Sequence, residues 1–512
     1  MFAQVRTVAF DGIEARPVDV QVQISPGLPA FVMVGLPDKA VAESRERVRA
    51  ALHAVGLALP SKHITVNLAP ADLPKEGSHY DLPVILAMMA CMGAMPFDQL
   101  QGYCVIGELA LDGSISRVPG ALPAAIGANA LDLGLICPRE CGSEAAWASS
   151  DMDILAPAHL LELINHFKGL QVLSKPEAVL DEPRLNLPDL ADVRGQESAR
   201  RALEVAAAGG HNLLMTGPPG SGKSMLAARL PSILPALDPA ELLEVSMIRS
   251  LAGELAGGQI GRERPFRAPH HSASMAALVG GGARPRPGEV ALAHMGVLFL
   301  DELPEFSVQV LDSLRQPLET GEVVIVRANH RIAWPSRIQL VAAMNPCKCG
   351  RAFEAGFACS RGAHCAERYQ SRISGPLLDR FDLQIEVPAV SVADLIYPDD
   401  KLNESSEQVA KRVAAARDRA SKRFIEMGLT NVRTNTDLSG EALDECTRLD
   451  EEGSKLLREA CEKLRLTARG YHRTLKVART LADLDGEDKV ARLHVAEALS
   501  YRGETMHRSL TV

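Results

Sequence analysis

The sequence predicts an α/β protein in which a parallel sheet forms the central layer. Three short and mostly apolar runs, at 212–215, 297–300 and 339–344, have the length and composition of buried strands. Stretches with helical periodicity separate these runs, and an alternation of strands and helices is typical of a parallel sheet covered on both faces. At 512 residues, the chain is long enough for about three domains.

The composition is that of an ordinary globular protein, with 46% hydrophobic and 23% charged residues. A net charge of −9 argues against a protein coated with nucleic acid, although it permits a local basic channel. The chain has no apolar run of about 18 residues, and its first residues lack the features of a signal peptide. We therefore expect a cytoplasmic protein without membrane contact, whose ten cysteines are thiols or metal ligands.

Shifts in composition divide the chain into four segments. Residues 1–170 predict an α/β domain, in which the strict alternation over 18–24 indicates a strand with one buried face. Residues 171–189 are rich in proline and charge and predict a linker. Residues 190–392 carry the central parallel sheet, and residues 393–512 predict an all-helical segment. The helices predicted in that last segment are 408–427, 441–465, 471–485 and 489–501.

The most specific motif follows the first of the buried strands. Gly217, Gly222, Lys223 and Ser224 fill the pattern G-x-x-x-x-G-K-[ST] of a phosphate-binding loop. The glycines let successive backbone N–H groups curl around an anion, the lysine reaches the β- and γ-phosphates, and the serine hydroxyl binds Mg²⁺. We therefore expect the protein to bind ATP and Mg²⁺. The predicted nucleotide-binding loop is Gly217, Pro218, Pro219, Gly220, Ser221, Gly222, Lys223 and Ser224.

Polar residues at the ends of the later strands predict a hydrolytic site. Asp301 and Glu302 follow the run 297–300, and Asn345 follows the run 339–344. Ligands gather at the carboxyl ends of parallel strands. We expect Asp301 to hold Mg²⁺ through its water shell, Glu302 to orient and deprotonate the attacking water, and Asn345 to bridge that water and the γ-phosphate.

Arg380 lies in the stretch 374–382, where we expect an exposed turn. An arginine at such a turn can act as a finger that reaches the γ-phosphate bound by the neighbouring subunit. The alternative is a surface arginine that pairs with Asp379 or Asp382.

The first domain resembles the proteolytic-domain fold of Lon-type proteases but departs from it at the Ser–Lys dyad. The matching stretch, Lys75-Glu-Gly-Ser-His-Tyr-Asp81, places His79 at the serine position, with Ser78 one place away. Pro123 occupies the lysine position. Because neither the nucleophile nor the base is matched, we expect a catalytically inactive domain with a structural or interaction role.

The loop, Asp301-Glu302, Asn345 and Arg380 resemble, in order and spacing, the motifs of AAA+ ATPases. The stretches 264–274, 287–302 and 374–382 are similar to the magnesium-chelatase-like branch. With the Lon-like first domain, the resemblance covers essentially the whole chain and points to the YifB/ComM family of bacterial competence-associated ATPases. It implies a hexameric ring of identical subunits that moves on DNA and promotes branch migration in transformation and recombination.

The resemblance also implies that residues 393–512 form the helical lid of an AAA+ ATPase. Thr467-Ala-Arg469 is similar to the second sensor motif, so Arg469 is expected to contact the nucleotide. Arg473, one helical turn later, is the alternative.

A basic hairpin is the first candidate for contact with DNA. Residues 322–334 predict two short strands around a tip, and they resemble the pre-sensor hairpin that ring helicases of this clade project into the central pore. Arg327, His330 and Arg331 are expected to grip phosphates there. The alternative interpretation is a solvated basic hairpin.

Two further stretches are weaker candidates. The glycine-rich loop 280–287 is basic through Arg284 and Arg286, and it predicts either a second DNA contact or a flexible surface loop. His270 and His271 have no carboxylate or thiol partner nearby in the sequence, so we interpret them as structural or interfacial.

Four cysteines cluster directly after Asn345. Cys347, Cys349, Cys359 and Cys365 have an irregular spacing, but four thiols in one short segment suit a tetrahedral structural Zn²⁺. The alternative is four thiols without a metal.

Three functions remain open at this point. The first is an ATP-driven motor that acts on DNA. The second is a remodeller of a protein partner, with the first domain as an adaptor. The third is a chelatase-type ATPase subunit, which should lack residues 1–170.

Overall fold

Two β-sheets and a C-terminal group of helices organise the chain. In this computed structural model, the described residues are 1–36, 38–181, 187–282, 286–327, 330–350, 363–390, 404–464 and 466–502. Strands and helices alternate along most of them, so the chain is a mixed α/β protein, as predicted. No helix within these ranges is long and apolar enough to cross a membrane.

The N-terminal part is built on a seven-stranded sheet. The strands of this part, in the sheet and beside it, are β1 (Phe2–Asp11), β2 (Glu14–Ser25), β3 (Ala30–Val34), β4 (His63–Ala69), β5 (Tyr103–Val105), β6 (Glu108–Leu109), β7 (Ile115–Ser116), β8 (Gly134–Ile136) and β9 (Ile154–Leu155). The sheet order is β3-β4-β2-β1-β5-β8-β9, and β6 pairs with β7. The helices are α1 (Lys39–Ala54), α2 (Asp81–Cys91), α3 (Phe97–Leu100), α4 (Ala121–Asn129), α5 (Gly142–Ala145) and α6 (Leu160–Phe167).

Strand β2 confirms the alternation over 18–24. Val18, Val20 and Val22 are fully buried, whereas the residues between them are partly exposed, because successive side chains of a strand point to opposite faces. Strand β2 pairs antiparallel with β4 and with β1, and β1 is a strand that we did not predict. Strands β1 and β2 are paired from Phe2 opposite Gln23 to Asp11 opposite Glu14.

Ser78 and His79 of the stretch 75–81, which we compared with the protease dyad, have hydrogen-bond partners within the N-terminal part. The Ser78 hydroxyl donates to Glu108, and His79 Nε2 lies 2.9 Å from the carbonyl oxygen of Val8. Burial lowers the pKa of His79 to about 4, so the imidazole is neutral at pH 7. Pro123 is buried inside α4.

The central part holds the predicted parallel sheet. The strands of this part, in the sheet and in two hairpins beside it, are β10 (Leu213–Thr216), β11 (Phe266–Arg267), β12 (Gly280–Gly281), β13 (Arg286–Pro287), β14 (Val297–Leu300), β15 (Glu322–Arg327), β16 (His330–Pro335), β17 (Gln339–Met344) and β18 (Leu383–Glu386). Five parallel strands follow the order β11-β14-β17-β10-β18, while β12 pairs with β13 and β15 with β16. The helices are α7 (Glu197–Gly209), α8 (Lys223–Ala227), α9 (Leu230–Ile233), α10 (Pro239–Ala252), α11 (Met275–Val279), α12 (Glu289–Leu292), α13 (Val308–Ser313), α14 (Arg315–Thr320), α15 (Ala363–Gln370) and α16 (Gly375–Leu378).

Burial on both faces explains why the central strands are continuously apolar. In β10, Leu213 and Met215 join a core with α7 and the C-terminal helices. Leu214, between them, joins a second core on the opposite face of the sheet. The run 339–344 of β17 divides in the same way, and all six of its residues are buried.

The C-terminal part consists of helices α17 (Ser406–Glu426), α18 (Gly440–Cys446), α19 (Glu451–Leu464), α20 (Ala468–Asp485) and α21 (Arg492–Ser500). The prediction of one helix over 441–465 was wrong, because the chain breaks between α18 and α19. The Thr447 hydroxyl donates to the Leu443 carbonyl at 2.6 Å, and Asp450 Oδ1 accepts from the Gly453 N–H at 2.6 Å. Such local side-chain bonds compete with helix continuation and favour helix ends.

The N-terminal part contacts the central part through α10. The Gly120 N–H donates to the Ser250 carbonyl at 3.1 Å, and the Ser250 hydroxyl donates to Glu144. Glu144 is 1% exposed, and its burial raises the pKa of the carboxyl. Leu122 of α4 packs beside Leu242 in a shared apolar cluster. The interface therefore combines a buried carboxylate with apolar packing.

A buried carboxylate also ties α20 to the sheet. Asp382, which is 3% exposed, accepts from the Asn212 N–H at 3.0 Å and pairs with Arg473 Nη1 at 2.5 Å. Burial alone raises the pKa of Asp382, but the neighbouring His211 and Arg473 outweigh burial and hold the pKa well below its usual range. The ionised form is therefore the one that the fold stabilises.

We expect Asp382→Asn to lower the melting temperature at pH 7, because breaking a buried ion pair costs about 3–5 kcal/mol. A carboxyl whose pKa is lowered by folding contributes stability above its unfolded pKa and loses it as the pH falls. The difference from the wild type should therefore narrow below about pH 4. Thermal unfolding of both proteins across pH measures this, with Asp444→Asn, an exposed carboxylate of α18, as the control. A difference that stays constant down to about pH 3 would contradict the assignment.

Candidate functional site

The predicted phosphate-binding and hydrolytic residues meet at one edge of the parallel sheet. Strands β14, β17 and β10 are adjacent, and Leu300 lies opposite Ala342 while Thr216 lies opposite Met344. The loop 217–224 follows β10, Asp301 follows β14 and Asn345 follows β17. Because parallel strands end at the same edge, these three groups open on one side of the sheet.

Lys223 bridges the loop and Asn345. Its Nζ lies 2.8 Å from the carbonyl oxygens of Gly217 and Pro218, and 3.4 Å from Asn345 Oδ1. Burial lowers the pKa of Lys223, and the nearby Asp301 partly offsets that shift. Gly222 has a φ of 90°, a conformation that few side chains tolerate, and this bends the backbone into the lysine.

Ser224 and Asp301 are already in contact. The Ser224 hydroxyl donates to Asp301 Oδ2 at 2.6 Å. A hydroxyl and a carboxylate at this separation can share one divalent cation, and oxygen ligands of this kind suit Mg²⁺. The donor set therefore fits a magnesium ion that accompanies a triphosphate.

Glu302 lies beside His271, so our expectation that this histidine has no carboxylate partner was wrong. His271 Nδ1 lies 3.5 Å from Glu302 Oε2, and the His271 ring packs edge-on against Phe306. Strand β11 is parallel to β14, so the residues that follow both strands reach the same sheet edge. A two-residue strand is too short to recognise from periodicity, which is why the proximity was missed.

Arg380 is buried, so the prediction that it is exposed was wrong, although Gly375, Pro376 and Asp379 of the same stretch are exposed. Its side chain is 6% exposed and forms an ion pair with Glu319 of α14, and burial lowers the pKa of the guanidinium. The backbone of Arg380 is held as well, because its carbonyl accepts from Asn212 Nδ2 at 2.9 Å. The partner is therefore Glu319 rather than Asp379 or Asp382.

The two candidates for the second sensor differ in their surroundings. Arg473 Nη1 donates to Asp382 Oδ1 at 2.5 Å and to the Arg380 carbonyl oxygen at 2.9 Å. Arg469 is 61% exposed and lies 3.9 Å from Glu319. Both arginines therefore lie near Arg380 and not at the phosphate-binding loop of the same chain.

These arginines occupy the opposite edge of the sheet from the loop. Asn212, which contacts Arg380 and Asp382, precedes β10, whereas Gly217 follows it. Five residues of strand span about 16 Å. A cavity of about 660 Å³ opens on this edge, and seven of its lining side chains are Arg or Lys against four Asp or Glu. The edge is therefore suited to an anionic group.

The predicted DNA hairpin is present as β15 and β16. Arg327 lies opposite His330 in the backbone register, and residues 328–329 between them lie outside the described residues. The Arg331 side chain is exposed. In the second candidate loop, Arg286 is exposed and Arg284 lies outside the described residues.

Three of the four clustered cysteines are brought together. The sulfurs of Cys347, Cys349 and Cys365 lie within 4.8 Å of one another, which is the spacing of ligands to one metal ion. Cys359 lies outside the described residues. The segment also touches the phosphate-binding loop, since a Cβ on Gly350 would be 2.5 Å from Pro219 Cδ.

Comparison with protein families matches three parts of the chain. Residues 189–395 match the family described as magnesium chelatase, subunit ChlI. Residues 20–141 match the family described as subunit ChlI of Mg-chelatase, and residues 403–502 match the C-terminal family of the same subunit.

Similar proteins cover nearly the whole chain. The competence protein ComM of Haemophilus influenzae is 43% identical, over 96% of this chain and 95% of the relative. The protein YifB of Escherichia coli is 43% identical, over 97% of this chain and 96% of the relative. The chain belongs to the YifB/ComM family. The 38 kDa magnesium-chelatase subunit of Rhodobacter capsulatus is more distant, at 27% identity over 60% of this chain and 85% of the relative.

Membership of this magnesium-chelatase-like family makes the chain an AAA+ ATPase that uses ATP and Mg²⁺. Proteins of this kind are typically oligomeric. The edge that holds Lys223, Asp301, Glu302 and Asn345 is therefore the candidate ATPase site of a YifB/ComM protein.

We expect Glu302→Gln to lower ATP turnover by about 100-fold or more, because a positioned general base contributes about that much. Nucleotide binding should persist, since Gln keeps the shape of the side chain. Steady-state hydrolysis and binding of a fluorescent nucleotide measure the two effects. Glu305→Gln is the control, because Glu305 pairs with Arg372 at 3.3 Å instead of lying beside His271. Full turnover in Glu302→Gln would exclude this residue as the base.

Proposed function

We propose that this YifB/ComM protein is a ring-shaped ATPase motor that acts on DNA, as a helicase that promotes branch migration in transformation and recombination. The observation that carries the proposal is the division of the site between the two edges of the sheet. One edge holds the loop with Asp301 and Asn345, and the other holds Arg380 with Arg469 and Arg473 nearby. A complete site then requires two subunits, and a closed ring, most simply a hexamer, supplies that contact for every subunit.

At the first edge, each side chain has one task. Lys223 binds the β- and γ-phosphates in place of its present carbonyl and amide partners. The Ser224 hydroxyl binds the Mg²⁺, and Asp301 holds it through its water shell. Glu302 accepts the proton of the attacking water, and Asn345 orients that water. When bound, ATP supplies the phosphoanhydride bond that is hydrolysed.

At the second edge, the arginines act on the nucleotide of the neighbouring subunit. Glu319 holds both Arg380 and Arg469 in the single chain. The phosphates of the neighbour replace Glu319 as their partner when the ring forms. Arg469 is the better second sensor, because its side chain is exposed whereas Arg473 is paired with Asp382.

The domain assignments belong to the same proposal. Residues 1–170 serve as an inactive Lon-like domain, 171–189 as a linker, 190–392 as the AAA+ core and 393–512 as its lid. The all-helical composition of the described part of 404–502 supports the last of these.

The proposed DNA contact is the hairpin of β15 and β16. An exposed Arg331 beside Arg327 and His330 gives each subunit a basic tip that can bind phosphates. The name of the Haemophilus influenzae relative, competence protein, supports a role in the handling of transforming DNA. The alternative function is a remodeller of a protein partner, for which the same ATPase site would serve.

DNA stimulation of ATP turnover tests the proposal. We expect single-stranded or forked DNA to raise turnover severalfold, and the effect to fall steeply with salt because phosphate contacts release counterions. The double variant Arg327→Ala, Arg331→Ala should lose the stimulation and keep basal turnover. Arg448→Ala, an exposed arginine of the C-terminal part, is the matched control. If DNA changes nothing while Glu302→Gln still abolishes turnover, the protein remodeller is the better function.

We also propose that the cysteine cluster holds a structural Zn²⁺. Cys347, Cys349 and Cys365 supply three thiolates, and Cys359 is the fourth candidate ligand. The contact between Gly350 and Pro219 places this segment against the phosphate-binding loop. A bound zinc would therefore fix the wall of the ATPase site.

Metal analysis of the purified protein should give about one zinc per chain. Cys365→Ser should lower that content and the melting temperature together, because the ligand set is then incomplete. Cys461→Ser, another half-buried cysteine, should change neither. Only a trace of zinc in the wild-type protein would end the proposal.

A further inference from the structure

The turn between β1 and β2 reaches out of the N-terminal domain to the proposed DNA hairpin. Gly12 and Ile13 form this two-residue turn, between Asp11 and its partner Glu14. A Cβ on Gly12 would lie 2.5 Å from the carbonyl oxygen of Ala333, which is in the second strand of the hairpin. The backbones of the N-terminal turn and of β16 are therefore in direct contact.

The conformation of Gly12 suits this contact twice over. Its φ of 62° is positive, as a type II′ hairpin turn requires at its first central position, where glycine is preferred. Its missing side chain leaves the space that Ala333 occupies. Any other residue would both strain the turn and push β16 away.

Ile13 adds an apolar contact on the inner side of the hairpin. It packs against the core cluster that contains Val323 and Trp334, and Ile325 and Ile332 pack against the same cluster. These four residues belong to β15 and β16. The turn and the hairpin thus share one apolar core.

Arg331, which we propose to bind DNA, lies on the same strand as the contact at Ala333. Arg331 and Ala333 are two residues apart in β16, so they share one side of the ribbon. Both are exposed, whereas Trp334 on the other side is buried. A shift of Ala333 therefore moves Arg331 directly.

The turn between β1 and β2 is held in place by the sheet that it belongs to. It ends the longest strand pair of the N-terminal sheet, and the domain is anchored on α10 through Glu144, Ser250 and Leu122. The contact at Gly12 is a second attachment, and with the contact at α10 it connects the hairpin of β15 and β16 rigidly to the N-terminal sheet.

We propose that the N-terminal domain positions the DNA-gripping hairpin, and that Gly12 and Ile13 are its positioning residues. The inference rests on the proposed function, in which this hairpin contacts DNA. It gives the first domain a defined task within the same chain, as a brace for β16.

The test compares two glycines with similar backbone conformations. Gly93 has a φ of 70° and open space around it, whereas Gly12 faces Ala333. Gly12→Ala should lower DNA-stimulated turnover by about tenfold, since displacing a contact group by about 1 Å can cost up to about 100-fold. Basal turnover without DNA should stay at the wild-type level. Gly93→Ala should leave both activities unchanged, and equal DNA stimulation in the two variants would overturn the proposal.

Hydrogen exchange supplies a readout that does not depend on DNA. In Gly12→Ala, the amides of β15 and β16 should exchange faster, while those of β10 stay protected. If wild-type turnover does not respond to DNA, the proposed function fails, and the exchange of β16 alone decides whether the turn positions the hairpin. Should Gly12→Ala not fold, Ile13→Ala removes the packing and keeps the turn. Unchanged exchange of β16 in that variant would overturn the brace.

Discussion

The direction of the parallel strands is the constraint on which the rest of the structure depends. All five strands of the central sheet run the same way, so every residue that follows a strand opens on one edge and every residue that precedes one opens on the other. Ser224 and Asp301 therefore meet at one edge, while Arg380 and Arg473 contact each other at the opposite edge, about 16 Å of strand away. A single chain cannot bring both sets to one nucleotide.

The opposite edge shows how the unassembled chain keeps its cationic groups stable. A buried guanidinium without an anionic partner is costly, and Arg380 finds that partner in Glu319 while Arg473 finds it in Asp382. The two ion pairs differ in how far their carboxylates are exposed to solvent. Asp382 is 3% exposed and accepts a backbone N–H as well, whereas the Glu319 side chain is 57% exposed. The Glu319 pair is therefore the one that an incoming phosphate can replace.

Much of the fold and of the ATPase edge could be predicted because their signals are local. The loop 217–224 is a contiguous motif, and the apolar runs 297–300 and 339–344 end in the polar residues that they position. What could not be predicted depends on contacts between distant segments. Glu319 has no local motif, and His271 reaches Glu302 only because the two-residue strand β11 lies beside β14.

Burial was the second source of error, since it is decided by tertiary packing. The stretch 374–382 has the glycine, proline and aspartates of an exposed turn, yet Asn212 and α14 cover Arg380. Strand β1 was missed although its alternation is visible afterwards, because the turn that joins it to β2 is Gly12-Ile13, and an apolar residue at the second position is not a typical hairpin-turn signal. Gly12 in that turn showed no importance until the neighbour at Ala333 was known.

The two attachments of the N-terminal domain bear on how a ring of such chains can move DNA. The anchor at Glu144 and Ser250 is buried and hydrogen-bonded, and the contact at Gly12 leaves no space between the backbones. A hairpin held in this way moves with its own subunit. Under the proposed function, the phosphate-gripping tips then advance because whole subunits rotate against one another at the interfaces where Arg380 meets the neighbour's nucleotide. The hydrolytic edge and the hairpin are thereby coupled through the rigidity of one chain rather than through a hinge within it.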